Sequence, residues 1–172
     1  MQKILSTDQI ESTAIRELFD YWRRKCGGRT LPRRRDIDPV DIPHLMPRIL
    51  ITDIEHDPFR VRYRLVGTKI VEMTGYEFTG RYLDEIALPN DEGPILESYR
   101  SACETKAPVM TRVKWRLAPD IVAEYDVCFL PLSDDGETVD MVLSMECYEN
   151  VERDYALVTD RDGTTTVKKR RG

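Results

Sequence analysis

Segments in which apolar and polar residues alternate are the feature that most limits how this chain can fold. In the segment 59–66, Val61, Tyr63 and Leu65 alternate with three arginines. The same alternation returns in three later segments, 109–116, 124–129 and 139–147. Because successive side chains of a β-strand point to opposite faces, each segment predicts a strand with one buried face. The chain is therefore expected to build an antiparallel sheet with a covered face.

The remaining segments predict one further strand and several helices. The β-branched run 49–54 predicts a strand ahead of the segment 59–66. A helix is predicted within 91–106, because its apolar residues recur at helical spacing. Two short helices are bracketed by turn residues at Gly67-Thr68, Gly75 and Thr79-Gly80, with Thr68 expected as an N-cap. The expected class is α+β, a five-stranded antiparallel sheet with helices on one face and an N-terminal amphipathic helix.

The N-terminal helix is predicted within residues 1–28. Ser6 and Gln9 have the spacing of a capping box, and Gly27-Gly28 would end the helix. Its apolar stripe can pack either on its own domain or on a second copy of the chain, and the pattern fits both. The stripe residues that would serve a dimer or a partner protein are Ile10, Ala14, Leu18 and Trp22.

Three further regions follow this helix. Prolines in 29–47 remove backbone donors and predict an ordered but irregular connector. The sheet and its helices are expected to occupy 48–148. The charged tail 149–172 is expected to be helical at its start and frayed beyond residue 160.

Charge and composition argue against several classes of function. A formal net charge of −5 disfavours general binding to nucleic acid or to anionic membranes. No apolar run reaches the ~20 residues that cross a bilayer, and residues 1–6 lack the apolar run of a signal peptide, so we expect a cytoplasmic protein. Four scattered cysteines and two histidines have no metal-ligand spacing, so no metal site is expected.

No catalytic motif is recognised in the sequence. There is no glycine-rich phosphate loop and no Gly-x-Ser-x-Gly, and no histidine stands beside a candidate nucleophile. Asp53 and Glu85 have no second acid or base to work with. We therefore expect no enzyme. A small cone-shaped α+β enzyme and a nucleic-acid-associated regulator that uses Arg33-Arg34-Arg35 and the basic tail remain the alternatives.

Two motifs carry a resemblance to a known family. The stretches Tyr63-Arg64-Leu65-Val66-Gly67-Thr68 and Thr74-Gly75-Tyr76-Glu77-Phe78-Thr79-Gly80 resemble those of a bacterial family of short proteins with a single PAS domain. The connector, with Leu31-Pro32 and Pro47, resembles the segment ahead of the sheet in those proteins. The residues that carry the motif are Arg64, Gly67, Thr68, Gly75, Thr79 and Gly80. The likeness covers about residues 31–148.

The resemblance implies a sensory or regulatory module that binds a small molecule between sheet and helices, or mediates contacts between proteins. The chain lacks the Asn-Cys-Arg-Phe type motif of flavin-binding relatives, and 91–106 holds no histidine for haem, so the cofactor stays unidentified. No kinase, cyclase or helix-turn-helix segment is recognised. A homodimer or a separate signalling protein is therefore expected to receive the signal.

The predicted ligand pocket lies where the inner sheet face meets the helices, because aromatic and methionine side chains concentrate there. Its expected lining is Tyr63, Met73, Tyr82, Ile86, Tyr99, Cys103, Val113, Trp115, Tyr125, Phe129 and Met145. A solid core explains the same residues slightly better, since any such sheet needs inward aromatic side chains at period two. The charged residues Arg60, Arg62, Arg64, Arg112, Lys114, Arg116, Glu124, Asp126, Asp140 and Glu146 are expected on the outer face, where cross-strand pairing or a docked helix would use them.

Overall fold

The architecture is a single antiparallel sheet with helices on both of its faces. The computed structural model describes residues 3–4, 11–86, 92–118, 121–149, 151, 155–159 and 165–169. The strands are β1 (Lys3–Ile4), β2 (Ile49–His56), β3 (Phe59–Val66), β4 (Val109–Ala118), β5 (Ile121–Leu132), β6 (Met141–Cys147), β7 (Tyr155–Thr159) and β8 (Thr165–Lys169). The helices are α1 (Thr13–Cys26), α2 (Thr68–Thr74) and α3 (Glu92–Thr105).

The main sheet has the order β1-β4-β5-β6-β2-β3, and every neighbouring pair is antiparallel. The five predicted strands and the α+β class are thus confirmed. The two-residue strand β1 adds a sixth member at the β4 edge, which the alternation pattern did not reveal because two residues carry no period.

The tail is more regular than the sequence predicted. Strands β7 and β8 pair antiparallel with each other, where a frayed end was expected beyond residue 160. The β-branched residues Thr165-Thr166-Val167 at the start of β8 favour a strand, a signal that the following basic residues obscured.

Register assigns the side chains of the central strands to two faces. Phe129 of β5 stands opposite Ser144 of β6, whereas Cys128 stands opposite Met145. The Phe129 ring meets Tyr99 of α3 edge to face, with 4.8 Å between centroids. Phe129 and Ser144 therefore belong to the inner face, beneath α3, and Cys128 and Met145 belong to the outer face.

Helix α1 covers the outer face. The Trp22 indole Nε1 donates a hydrogen bond to the carbonyl oxygen of Pro131 in β5, 2.9 Å away. The Ser12 hydroxyl donates to Cys147 Sγ at the end of β6, 3.1 Å away. Strands β5 and β6 consequently have protein on both sides, and β6 is buried along nearly its whole length.

The start of α1 lies later in the chain than the sequence predicted. Its N-cap is Ser12, whose hydroxyl accepts a hydrogen bond from the Ile15 backbone N–H. The predicted capping residues Ser6 and Gln9 lie outside the described residues. The predicted end is confirmed, because Gly27 closes the helix with a left-handed φ of 55°.

The connector passes over the surface in short 3-10 turns, Arg34–Asp36, Pro39–Asp41 and Met46–Arg48. It reaches α2 at Gly67, where a Cβ would lie 2.3 Å from the carbonyl oxygen of Pro47. Gly67 occupies the N-cap position and Thr68 is the first residue of the helix. The prediction that Thr68 caps this helix is therefore wrong. Only a residue without a side chain allows the connector to pass so close to the helix start.

Candidate ligand site between the sheet and helix α3

The inner face carries an unusual concentration of buried polar groups for the core of a small domain. Alternation along β2, β5 and β6 directs these side chains towards the helices, together with the tyrosines of β3 and α3. The group consists of Thr52, Tyr63, Tyr99, Tyr125, Ser144, Glu146 and Tyr148, each at most 9% exposed. Buried polar groups require hydrogen-bond partners, so this set can hold a polar ligand or must satisfy itself.

Glu146 is the ionisable member of this group. It stands opposite Val127 of β5, on the inner face, and accepts a hydrogen bond from the Tyr148 hydroxyl. Burial raises the pKa of Glu146 from its ordinary 4.5 to about 7, although the Tyr148 hydrogen bond acts in the opposite direction. Near neutral pH the carboxyl can therefore present either a donor or an acceptor.

The position of Glu146 corrects the sequence prediction, which placed it on the outer polar face. The outer face at this strand is apolar because α1 lies on it, so Met145 and Cys147 point outward and Glu146 points inward. A strand that is covered on both sides does not follow the rule of one polar face.

Tyr99 brings a second hydroxyl to the same face. Burial raises the pKa of Tyr99 above its ordinary value, and the nearby hydroxyls of Ser144 and Thr52 offset that rise only in part. Ser144 Oγ is buried and makes no hydrogen bond of acceptable geometry with any described residue. An unsatisfied hydroxyl of this kind is costly in a closed core and useful in a binding site.

A cavity of about 320 Å³ opens at the β2–β3 hairpin end of the inner face. Its walls are apolar side chains from β3, from the 3-10 turn Leu83–Glu85 and from α3. They are Phe59, Val61, Leu83 and Leu96, with Gly93 beside them. Arg60 and Asp84 form its polar rim, where two hydrogen bonds of 3.0 and 2.8 Å join them. The volume lies at the small end of the range for ligand pockets, about 300–1,000 Å³.

Most of the predicted pocket residues lie on the inner face or against it. Tyr63, Tyr99, Val113, Tyr125 and Phe129 are buried in the sheet and α3. From the helical segments, Met73 and Ile86 are buried and Cys103 is half-buried, with a pKa that burial raises to about 12. Trp115 lies in β4 opposite Ala123, and its side chain is outside the described part of the chain.

Two predicted pocket residues lie elsewhere. Met145 faces α1 on the opposite side of the sheet, because it pairs with Cys128. Tyr82 lies at the edge of the sheet, where its hydroxyl donates to Glu55 over 2.6 Å and Arg60 stacks on its ring at 3.6 Å. The sequence analysis did not assign Glu146, Ser144 or the cavity walls to the site. The period-two pattern of β6 could have located Glu146 and Ser144.

The motif residues have structural roles that the geometry explains. Arg64 donates to Asp53 of β2 over 3.2 Å. Gly80, at a φ of 86°, donates from its backbone N–H to the Tyr63 carbonyl over 2.6 Å and so covers the open edge of β3. Gly75 ends α2 at a φ of 71°. The Thr79 backbone N–H donates to the Glu77 carboxylate over 2.8 Å.

The stripe of α1 is used within the monomer. Leu18 and Trp22 are 0% and 5% exposed, and Ala14 is half-buried. Ile10 lies outside the described residues. Leu18 and Trp22 are therefore not available to a partner while α1 lies on the sheet.

The outer charges form ion pairs across strands and around the β3 edge. Arg112 makes two hydrogen bonds, 2.7 and 3.0 Å, to the buried carboxylate of Asp126. Arg62 and Arg64 share Asp53, at 2.8 and 3.2 Å. This arrangement agrees with the predicted cross-strand pairing of charges, with Glu146 and Asp140 as exceptions. Asp140 precedes β6, and its carboxylate accepts a hydrogen bond from the Asp134 backbone N–H over 3.1 Å.

The described residues contain neither a helix long and apolar enough to cross a membrane nor a cluster of His, Cys, Asp and Glu that could hold a metal ion. A family model described as a PAS domain matches residues 10–145. The match takes in α1, the connector and almost the whole sheet. No curated protein matches the sequence.

Proposed function

The chain belongs to the PAS domain family, and from this we propose that it is a non-catalytic sensory or regulatory module that binds a small molecule between its sheet and helix α3. The observation that carries the proposal is the buried polar set around Glu146 and Ser144. A cavity opens at the other end of the same face, by the β2–β3 hairpin. A core that served stability alone would gain by replacing the Ser144 hydroxyl, which has no hydrogen bond of acceptable geometry among the described residues, with an apolar group.

Signal output is proposed to pass through the sheet to α1. The two strands that present Phe129, Ser144 and Glu146 to the inner face are those that contact α1 through Pro131 and Cys147 on the outer face. A ligand that shifts β5 or β6 by a fraction of an ångström changes the outer surface of the sheet against which α1 packs, because packed layers transmit strain. The receiver is proposed to be a second copy or a separate signalling protein in the cytoplasm.

Native mass spectrometry of the purified full chain tests ligand binding directly. A co-purifying mass, or stabilisation by members of a metabolite library in thermal unfolding, is the expected result. Ser144→Ala and Tyr99→Phe should weaken the stabilisation by a ligand of the inner face, and Glu124→Gln on the exposed side of β5 is the matched control. Absence of any bound mass together with no stabilisation by any compound would refute the proposal.

Hydrogen exchange tests the route to α1. Ligand binding should change the exchange rates of the amides in α1 as well as those in β5 and β6. A change confined to the inner strands and α3 would mean that the signal leaves the domain by another path.

A further inference from the structure

Arg100 lies on α3 one turn beyond Leu96, the last residue of that helix that lines the cavity. Gly93, Leu96 and Arg100 are spaced by three and four residues, so they lie on one side of the helix. Gly93 and Leu96 line the cavity. The guanidinium carbon of Arg100 lies 4.4 Å from the centre of the Phe59 ring, and Phe59 is a cavity wall as well. Arg100 is thus positioned beside the apolar cavity, against one of its walls.

The charge of Arg100 has no counter-ion among the described residues. Its contact there is the face of Phe59, which attracts the cation but leaves the N–H donors of the guanidinium without acceptors. Arg60 on the rim differs, because Asp84 and Glu85 accept its hydrogen bonds. A half-buried guanidinium that lacks an acceptor among the described residues is suited to bind a carboxylate in a bidentate manner.

We infer that the cavity binds a small amphipathic monocarboxylate, with its apolar body among Phe59, Val61, Leu83 and Leu96 and its carboxylate on Arg100. This inference rests on the proposed ligand-binding function and names the ligand class. The apolar walls select a hydrocarbon or aromatic body, and the volume of about 320 Å³ admits only a small one.

A single negative charge fits the rim better than two. Asp84 borders the same opening, and Arg60 already compensates its charge. A second anionic group on the ligand would lie near the carboxylates of Asp84 and Glu85, where the nearest cation of the described residues, Arg60, is already paired with them. Like charges that lie close together repel, so we expect dicarboxylates and phosphates to bind less well than monocarboxylates.

The test compares 3-phenylpropanoate with its primary amide by titration calorimetry on the full chain. The wild type should bind the acid about ten-fold more tightly than the amide, since a charge-assisted pair with Arg100 is worth about one factor of ten. Arg100→Gln should abolish that preference, and Arg100→Lys should restore part of it. Arg23→Gln is the matched control, because Arg23 also lies over a phenylalanine, Phe19, but on α1.

Leu96→Trp provides a second variant, which fills the cavity and should block both probes. Equal binding of acid and amide, or an acid preference that survives in Arg100→Gln, would overturn the inference while leaving a ligand-binding cavity. Binding of neither probe to the wild type would also overturn it. A co-purifying mass whose binding depends on Ser144 and not on Arg100 would then show that the proposed function holds at the buried polar set around Ser144 and not at the cavity.

Discussion

The Tyr148 hydroxyl donates a hydrogen bond to the carboxyl of Glu146, and both side chains are buried on the inner face of the sheet. The tilted contact between the Tyr148 and Tyr125 rings, 4.9 Å between centroids, holds the donor in place. Burial raises the pKa of Glu146 to about 7 and also raises that of Tyr148, so the tyrosine keeps its proton where the carboxyl of Glu146 titrates. Protonation of this site is therefore coupled to the stability of the fold.

Glu146→Gln should remove a pH-dependent part of the stability. The folded-state pKa of about 7 lies above the ordinary 4.5, so between these values the folded state binds more protons than the unfolded state. The free energy of unfolding of the wild type should therefore fall between about pH 4.5 and pH 7, by on the order of 3 kcal/mol from this group. Urea unfolding of both proteins at pH 5, 6, 7 and 8 measures the difference, with Glu124→Gln as the exposed control. If the free energy of unfolding depends on pH in the same way in the wild type and in Glu146→Gln, the folded state does not raise the pKa of Glu146.

Gly67→Ala should destabilise the protein more than Gly75→Ala does. A Cβ at 67 would lie 2.3 Å from the Pro47 oxygen and 2.7 Å from that of Met46, and these backbone atoms cannot move aside cheaply. We expect a loss of about 3 kcal/mol at 67. A Cβ at 75 would have no heavy atom within 4 Å. The only cost there is that alanine must adopt the left-handed φ of 71°, and we expect a loss of about 1 kcal/mol. Thermal unfolding of the two variants checks the order, and equal losses would mean that the connector can withdraw from α2.

Trp22→Ala should loosen α1 from the sheet. Trp22 is 5% exposed and donates to the Pro131 carbonyl, so its truncation removes packing and leaves a buried acceptor unpaired. The expected loss is about 3–5 kcal/mol for alanine. Trp22→Phe keeps most of the volume and should lose about 1–3 kcal/mol through the acceptor alone. Denaturant unfolding provides the values, and a loss near zero for alanine would place α1 away from the sheet in solution.

Arg112→Gln should destabilise the protein by about 2–3 kcal/mol, because it leaves the buried Asp126 carboxylate without its two hydrogen bonds. Arg62→Gln is the matched change at an exposed pair with Asp53 and should alter stability little. The two variants are compared by urea unfolding at low and at physiological salt. If both have the same small effect, Asp126 must reach solvent.

The sequence predicted the sheet well because period two is a local signal. Val61 and Tyr63 are buried and Arg62 is exposed, as the alternation in β3 requires. The Gly75 and Gly27 helix ends were also predicted, since a left-handed C-cap depends on one residue.

The candidate site was harder to predict, because it depends on which layer covers which face. Met145 and Glu146 exchange sides relative to the prediction once α1 takes the outer face, and hydrophobicity along β6 does not report that contact. Arg100 was missed for a similar reason. Its position over Phe59 joins residues 41 apart in the chain, and no local pattern encodes such a contact.

The hydrogen bond from Trp22 to Pro131 also provides the protein with an optical reporter. An indole that is buried with its N–H bonded to a carbonyl emits differently from one in water, so departure of α1 from the sheet would shift its fluorescence to longer wavelength. The chain has one other tryptophan, Trp115, in β4. With Trp115 replaced by phenylalanine, the emission of Trp22 follows the docking of α1 in real time, without any attached dye.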